Sequence, residues 1–334
     1  MQPIHTFSDT ERDDIRAALG AITVDPYRDY LGFTAAVAAL VRDGLPAPLV
    51  KVADQIRGER ESGHSDVHAL RNCPVDTELP TLSHSNPQVD KYARKKTYVG
   101  EAFLAAFGLL TTTPLLAYAT RFNGDFFTDV FAIDKYFGKQ TGYSDGELVF
   151  HNDRTAHPVR ADFITLLGMR CPAEEMTYTA FIDGRSLLAN LSADEEAVLR
   201  LPHFVTPFDV VSKDNNNSLT ESAPHVIFEN DHSIRYLDSH TTVSRTAPPE
   251  AKDALLALKS ALSRAERKRH RILEGDLFTF ANQDGLHNRE LIEVVDVERS
   301  RSRWLLKTYA FRDQAAADHH TDRWINGIPG LVGD

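Results

Sequence analysis

Between about 115 and 185 the apolar residues come in short runs broken by Gly, Asn and Asp, and the same texture returns in "GDLFTFAN" (275–282) and "RWLLKTYAF" (303–311). Such runs are too short for packed helices and suit strands of a buried sheet. They exclude an all-helical fold and set a mainly β core with helical additions as the expectation. Apolar positions at three- and four-residue spacing predict helices over 9–23, 31–43 and 98–110. Ser192 and Glu195 form a capping-box pattern in "LSADEEAVLRL", which predicts a helical insert near 192–201. "PPEAKDALLALKSALSRAERKRHR" predicts a second insert over 248–271, with Pro at its start and a solvated basic end. The stretches 58–95 and 212–219 ("SKDNNNSL") read as polar loops, and "HVIFEN" with "SIRYLD" as a strand pair.

The 334 residues show no internal repeat and no low-complexity tract. The expectation is one catalytic domain over 1–334, with a mainly helical part at 1–112, the β core at 113–312 and a C-terminal tail at 313–334. A net charge of −11 repels polyanions, so nucleic acid is not an expected partner; the runs "RAERKRHR" and "RSRSR" are local exceptions. Two cysteines, Cys73 and Cys171, without CxxC spacing, favour a reducing compartment. The acidic, polar start and the absence of a membrane-length apolar run make the cytoplasm the expected location, with no membrane partner.

The chemistry concentrates in "FHNDRTAHPVRADF". Alternate side chains of a strand share a face, so His151 and Asp153 can point together while Asn152 points away. "GDLFTFANQDGLH" is a Gly-Asp turn, an alternating apolar strand and a further turn ending at His287. A strand returning beside the first would bring His287 to His151 and Asp153. Two histidines and one carboxylate form the facial triad of non-haem Fe(II) oxygenases, with positions left open for a cosubstrate and O2. Arg303 abuts the apolar Trp304-Leu305-Leu306 and could clamp a carboxylate bidentately, with Lys307 on the same strand face. His157 is expected to pack beside the site rather than bind metal.

The order HxD, GDL…H, RWLxK resembles the Fe(II)/2-oxoglutarate dioxygenases of the taurine dioxygenase and clavaminate synthase group. The clavaminate-like, amino-acid hydroxylase branch is closer, through "ELVFHNDRTAH", "RADFITLLGMR", "LSADEEAVLRLPHF" and "IRYLDSHTTVSRTAPPEAKDALLAL". The resemblance covers roughly residues 120–312. It implies a double-stranded β-helix, or jelly roll, with His151, Asp153 and His287 as catalytic iron ligands. It also implies that Arg303 binds the distal carboxylate of 2-oxoglutarate, with Thr177 touching that carboxylate and Lys307 as a second contact. Asp153 stands where this branch usually has Glu, Glu174-Glu175 where a Gly-Gly pair is common, and Lys307 where Arg is frequent. Retention of Asp153 argues against a halogenase.

The implied reaction is hydroxylation of an unactivated C–H bond with decarboxylation of 2-oxoglutarate to succinate and CO2. The implied substrate is a free amino acid or amino-acid derivative. A residue tethered to a carrier protein, or a taurine-like sulfonate or other small acid, is the alternative. Arg235 could hold a substrate carboxylate and Asp238 a cation, with Asn123 and Gln140 as further contacts, and the segment 121–145 suits a lid. Two other classes stay open. A zinc hydrolase could use the same three ligands, though Arg303 would then have no role; a non-enzymatic jelly-roll module would bind no metal. Oligomeric state is not encoded in any of these motifs.

Overall fold

Phe163–Arg170, Leu277–Ala281 and Trp304–Ala310 are strands buried on both faces, which is why they read as nearly continuous apolar runs. Their side chains still alternate. Leu167, Met169, Leu277, Trp304 and Leu306 pack against helices on one side. Ile164, Leu166, Phe278, Phe280, Leu305 and Tyr309 turn the other way, into the space between two sheets.

The computed structural model describes residues 1–216 and 218–333. In chain order the strands are β1 (His5–Thr6), β2 (Val67–Arg71), β3 (Leu115–Tyr118), β4 (Thr128–Val130), β5 (Leu148–His151), β6 (Phe163–Arg170) and β7 (Met176–Asp183). They continue with β8 (Phe204–Val205), β9 (Thr242–Val243), β10 (Lys268–His270), β11 (Leu277–Ala281), β12 (Gly285–Glu293), β13 (Trp304–Ala310) and β14 (Leu331–Val332). The larger sheet runs β1-β2-β11-β6-β13-β3-β14, with β4 also paired to β13; the smaller runs β10-β7-β12-β5. From β4 to β7 and from β10 to β13, each successive strand crosses to the facing sheet, so both sheets wrap one interior.

The helices are α1 (Asp9–Gly20), α2 (Tyr30–Asp43), α3 (Ala47–Glu61), α4 (Pro87–Arg94), α5 (Val99–Leu110), α6 (Gly184–Leu188), α7 (Ala193–Leu199), α8 (Val210–Asn215), α9 (Pro249–Arg264), α10 (Val297–Arg301) and α11 (Gln314–Asp318). α1, α2, α3 and α5 cover the outer face of the larger sheet in one continuous apolar cluster. α7 and α9 cover Ala180, Ile182 and Leu286 on the outer face of the smaller one. α5 is buried on nearly every side, and each of Phe103 and Phe107 contributes about 2–3 kcal/mol by leaving water. Among the described residues no single helix is long and apolar enough to cross a membrane.

The mainly β core with helical additions is present, and the differences from expectation are local. The polar stretch 58–95 holds the end of α3, β2 and α4. β2 is recruited by pairing with β11 and β1, and α4 by the Asn86 side chain, which accepts from the Val89 N–H ahead of a helix that opens on Pro87. The second insert ends at Arg264, and its basic end becomes β10, paired with β7, where Arg269 meets the carboxylate of Glu290. "RSRSR" is the end of α10. "HVIFEN" and "SIRYLD" meet only at the bridge Phe228 to Ile234. The loop 212–219 begins inside α8, which Asp209 caps, and its Asn217 lies outside the described residues. The tail 313–334 carries α11 and β14, the latter paired with β3; its last residue, Asp334, also lies outside the described residues.

Candidate active site

β5 delivers His151 to the mouth of the space between the sheets, directly opposite His287 on β12. Asn152 points away, as strand parity requires. Its amide donates to the Gly285 carbonyl at 2.9 Å and accepts from the Tyr236 N–H at 2.7 Å, anchoring the strand end. Asp153 is held at its backbone, its N–H donating to Asn282 Oδ1 at 2.8 Å. Arg154 then takes the left-handed region at φ 60°, turning the chain sharply away.

The result is a convergence of two imidazoles on one carboxylate oxygen. His151 Nε2 lies 3.2 Å from Asp153 Oδ1 and His287 Nε2 lies 3.7 Å from the same atom. The ligand atoms of all three residues fall within 4.8 Å of one another. His151 Nδ1 meets the Val149 carbonyl at 2.8 Å, which fixes the proton there and leaves Nε2 as a lone-pair donor toward the centre. Burial, then the neighbouring His151, pushes the His287 imidazole well below the ordinary histidine range, so it stays neutral and able to ligate. Burial alone would raise the Asp153 carboxyl. Lys307 and the two histidines outweigh it and hold the group well below the usual carboxylate range. Two imidazole nitrogens and one carboxylate, turned on a common point, fit a divalent iron with open positions.

Beyond the triad, Arg303 presents Nε and Nη2 as buried atoms with no hydrogen-bond partner among the described residues. Burial depresses its pKa from the ordinary arginine value. A guanidinium left without a counter-ion inside a protein is costly unless an anion arrives. Arg303, Thr177 and Arg289 line one pocket, which the Gly142–Asp145 loop closes from the other side. These residues fit the distal carboxylate of 2-oxoglutarate. Glu175, where a glycine pair was the family expectation, accepts from the N–H groups of Val295 and Asp296 and from Arg299, tying two turns together beside Thr177.

Other candidates fall elsewhere. Lys307 shares the face of Arg303 but does not line its pocket: Nζ donates to Asp153 Oδ2 at 2.9 Å and to the Tyr309 hydroxyl at 2.8 Å. It is therefore a partner of the triad carboxylate, four residues further along the chain than Arg303. Gln140 does line the cavity at the triad, although its amide is tied to Val149 and Glu147. Arg235 turns to the Thr155 carbonyl at 2.7 Å, and Asp238 is taken by Tyr236 and Lys259, so neither lines that cavity nor pairs with the other. Asn123 is exposed, and its amide reaches the Tyr92 hydroxyl rather than the cavity. Within the expected lid, Thr128–Val130 is β4 of the larger sheet. His157 is buried beside the triad and outside its ligand group.

Several residues at the site carried no sequence signal. Tyr309 donates to Asp153 Oδ2 at 2.8 Å, and Arg121 pairs with Asp209 at 3.2 Å across the cavity. Arg289 had one available signal, its two-residue offset from His287 on the same strand face.

Fold and site define an iron-dependent oxygenase architecture, and the chain belongs to the taurine catabolism dioxygenase TauD, TfdA family, which it matches over residues 100–309. Among curated proteins it is similar to the L-asparagine oxygenase of Streptomyces coelicolor (strain ATCC BAA-471 / A3(2) / M145), 27% identical over 259 residues, 76% of this chain and 73% of that protein. Among solved structures it resembles asparagine oxygenase in complex with Fe(II), 2S,3S-3-hydroxyasparagine and succinate, at TM-score 0.80 and 21% identity over 98% of both chains. It also resembles the non-heme iron oxygenase OrfP in complex with Fe, succinate and (3R,4R)-dihydroxy-L-Arg, at TM-score 0.76 and 19% identity over 99% of this chain and 100% of that one.

Proposed function

We propose that this protein is an Fe(II)/2-oxoglutarate-dependent oxygenase that hydroxylates an unactivated C–H bond of a free amino acid or amino-acid derivative. The observation that carries this reading is the pairing of two sites. A His-Asp-His convergence stands beside a pocket lined by Arg303, a buried guanidinium with two donors unpartnered among the described residues. A zinc hydrolase would need the first and have no use for the second.

In this reading the two sheets are a double-stranded β-helix, and the whole chain is one catalytic domain. His151, Asp153 and His287 hold the iron; Arg303 and Thr177 hold the distal carboxylate of 2-oxoglutarate. With O2, the bound iron and 2-oxoglutarate supply the oxidising power, and 2-oxoglutarate leaves as succinate and CO2. The chain supplies geometry. Lys307 and Tyr309 grip Asp153 Oδ2, so Oδ1 stays aimed at the imidazoles. Arg121 and Lys307 offer cations to a substrate carboxylate, and Asp209 offers an anion to its ammonium group. An amino acid carries both charges, and so does a taurine-like aminosulfonate, which is the alternative occupant. The amino-acid products seen in the asparagine oxygenase and OrfP structures favour the former.

The test is an anaerobic titration of the apoprotein with Fe(II) and 2-oxoglutarate, watched for the weak charge-transfer band of the chelate. O2 is then admitted with a panel of amino acids, beginning with asparagine and arginine, and succinate is followed. A band with amino-acid-stimulated succinate is expected. No band together with tight zinc binding would transfer the site to the hydrolase class.

A further inference from the structure

Arg289 stands two residues beyond His287 on β12 and forms no ion pair among the described residues. Its guanidinium is directed at one loop. Nε donates to the Gly146 carbonyl at 2.8 Å, Nη1 to the Gly142 carbonyl at 3.1 Å, and Nη2 to the Ser144 carbonyl at 2.8 Å and its hydroxyl at 3.2 Å. A planar fork of donors can meet three carbonyls at once, which neither a lysine nor a glutamine can do. The arrangement keeps a cation out of water. Burial, and then Arg303 nearby, pull the Arg289 pKa down to about 10.

The gripped loop is a partition. Gly142 borders both the cavity at the triad and the pocket at Arg303, Tyr143 faces the first, and Ser144 and Asp145 face the second. Its other backbone ties are few: Ser144 N–H to the Thr141 carbonyl at 3.1 Å, and Ile133 N–H to the Tyr143 carbonyl at 2.8 Å. Without the guanidinium, three loop carbonyls would lose their donors together. The strand that supplies His287 therefore also fixes the wall between the two pockets.

We propose that Arg289 is a positioning residue, holding the loop 142–146 as a preformed wall between the cosubstrate pocket and the substrate cavity. The naming of those pockets rests on the function proposed above; the clamp itself does not. Its consequence is that Tyr143 is set in place before substrate arrives. It also means that 2-oxoglutarate meets a closed pocket rather than a loose one.

The experiment compares wild type, Arg289→Gln and Arg289→Lys by hydrogen exchange of the metal-free proteins, together with anaerobic Fe(II) and 2-oxoglutarate titrations. In wild type the Ser144 and Ile133 amides should exchange slowly without any ligand. Both variants should speed those amides at least about tenfold while β6 and β12 amides stay unchanged, and both should weaken 2-oxoglutarate about tenfold with Fe(II) affinity retained. Full rescue of 2-oxoglutarate affinity by lysine, with loop exchange unchanged, would show a charge role and overturn the clamp. Equal acceleration of loop and core amides would overturn it in favour of general fold support. Should neither variant fold, free-peptide exchange rates at Ser144 in wild type would be enough to overturn it, and slow exchange there would support it. Absence of the charge-transfer band in wild type would count against the proposed function and leave the exchange result standing.

Discussion

At the scale of single residues, the site opposes function to stability, and the opposition can be measured. Arg303 holds two buried donors without a partner among the described residues, so it costs the folded state free energy that an anion would return. Arg303→Met is therefore expected to raise the melting temperature of the ligand-free protein while weakening 2-oxoglutarate about a hundredfold. Thermal unfolding with and without 2-oxoglutarate checks both halves, and a destabilised Arg303→Met would contradict the argument. Asp153→Ala should abolish metal-dependent turnover and leave the circular dichroism unchanged, since the backbone there is held by Asn282 and not by the carboxylate. Retained turnover would remove Asp153 from the proposed ligands. The convergence of His151, Asp153 and His287 was legible because strand parity is local: residues two apart share a face wherever the strand goes. Arg303 drew notice for a different reason, its place directly before the apolar Trp304-Leu305-Leu306. Lys307, Arg235, Asp238 and Asn123 were placed less well, because parity says which way a long side chain leaves the strand and not which carboxylate or carbonyl it finds.

At the scale of elements, the buried strands and the capped or strongly periodic helices were readable, and those defined by their partners were not. β2 looks polar in isolation and is a strand because β11 and β1 hydrogen-bond to it on either side. β10 arises from a run of charges whose alternate members reach Glu290, a residue the run itself gives no hint of. The small ribbon of β8 and β9 is likewise stitched from outside. Its neighbour Thr206 bonds Thr241 at 2.8 Å and His225 Nε2 at 3.0 Å, while His225 Nδ1 meets the Val226 carbonyl at 2.7 Å. Burial, then Arg235, pulls the His225 pKa down to about 4 from 6.5. The folded state therefore binds fewer protons than the unfolded one between those values. This contribution to stability is whole above pH about 6.5 and is lost as the pH falls toward 4, by about 3 kcal/mol at most. Urea denaturation of wild type and His225→Gln across that range should show a shallower fall in the variant. The remaining slope belongs in part to His68, which burial pulls down to about 4 as well.

At the scale of the whole molecule, the helical first third is knit together internally by buried charge and joined to the β core by the packing of α5. Lys95 Nζ lies between Asp76 at 2.9 Å and Glu101 at 2.8 Å, and all three side chains are almost wholly removed from water. Asp76 also accepts from the N–H groups of Val99 and Gly100, placing its charge at the N-terminus of α5, while Glu101 accepts from Tyr27. α5 in turn packs on β6 and β13, the strand whose next turns carry Trp304, Lys307 and Tyr309. A chain built this way should unfold as one unit although its length would allow two. Lys95→Met leaves two carboxylates facing each other without a cation, a loss of about 3–5 kcal/mol. In a chain of this size that lowers the melting temperature by roughly 4–7 °C. If the first third were a separate module, calorimetry of the variant would show one transition moved and one left in place. The shared core predicts a single transition, displaced as a whole, and the same displacement when unfolding is followed by loss of Fe(II) binding at the proposed site of His151, Asp153 and His287.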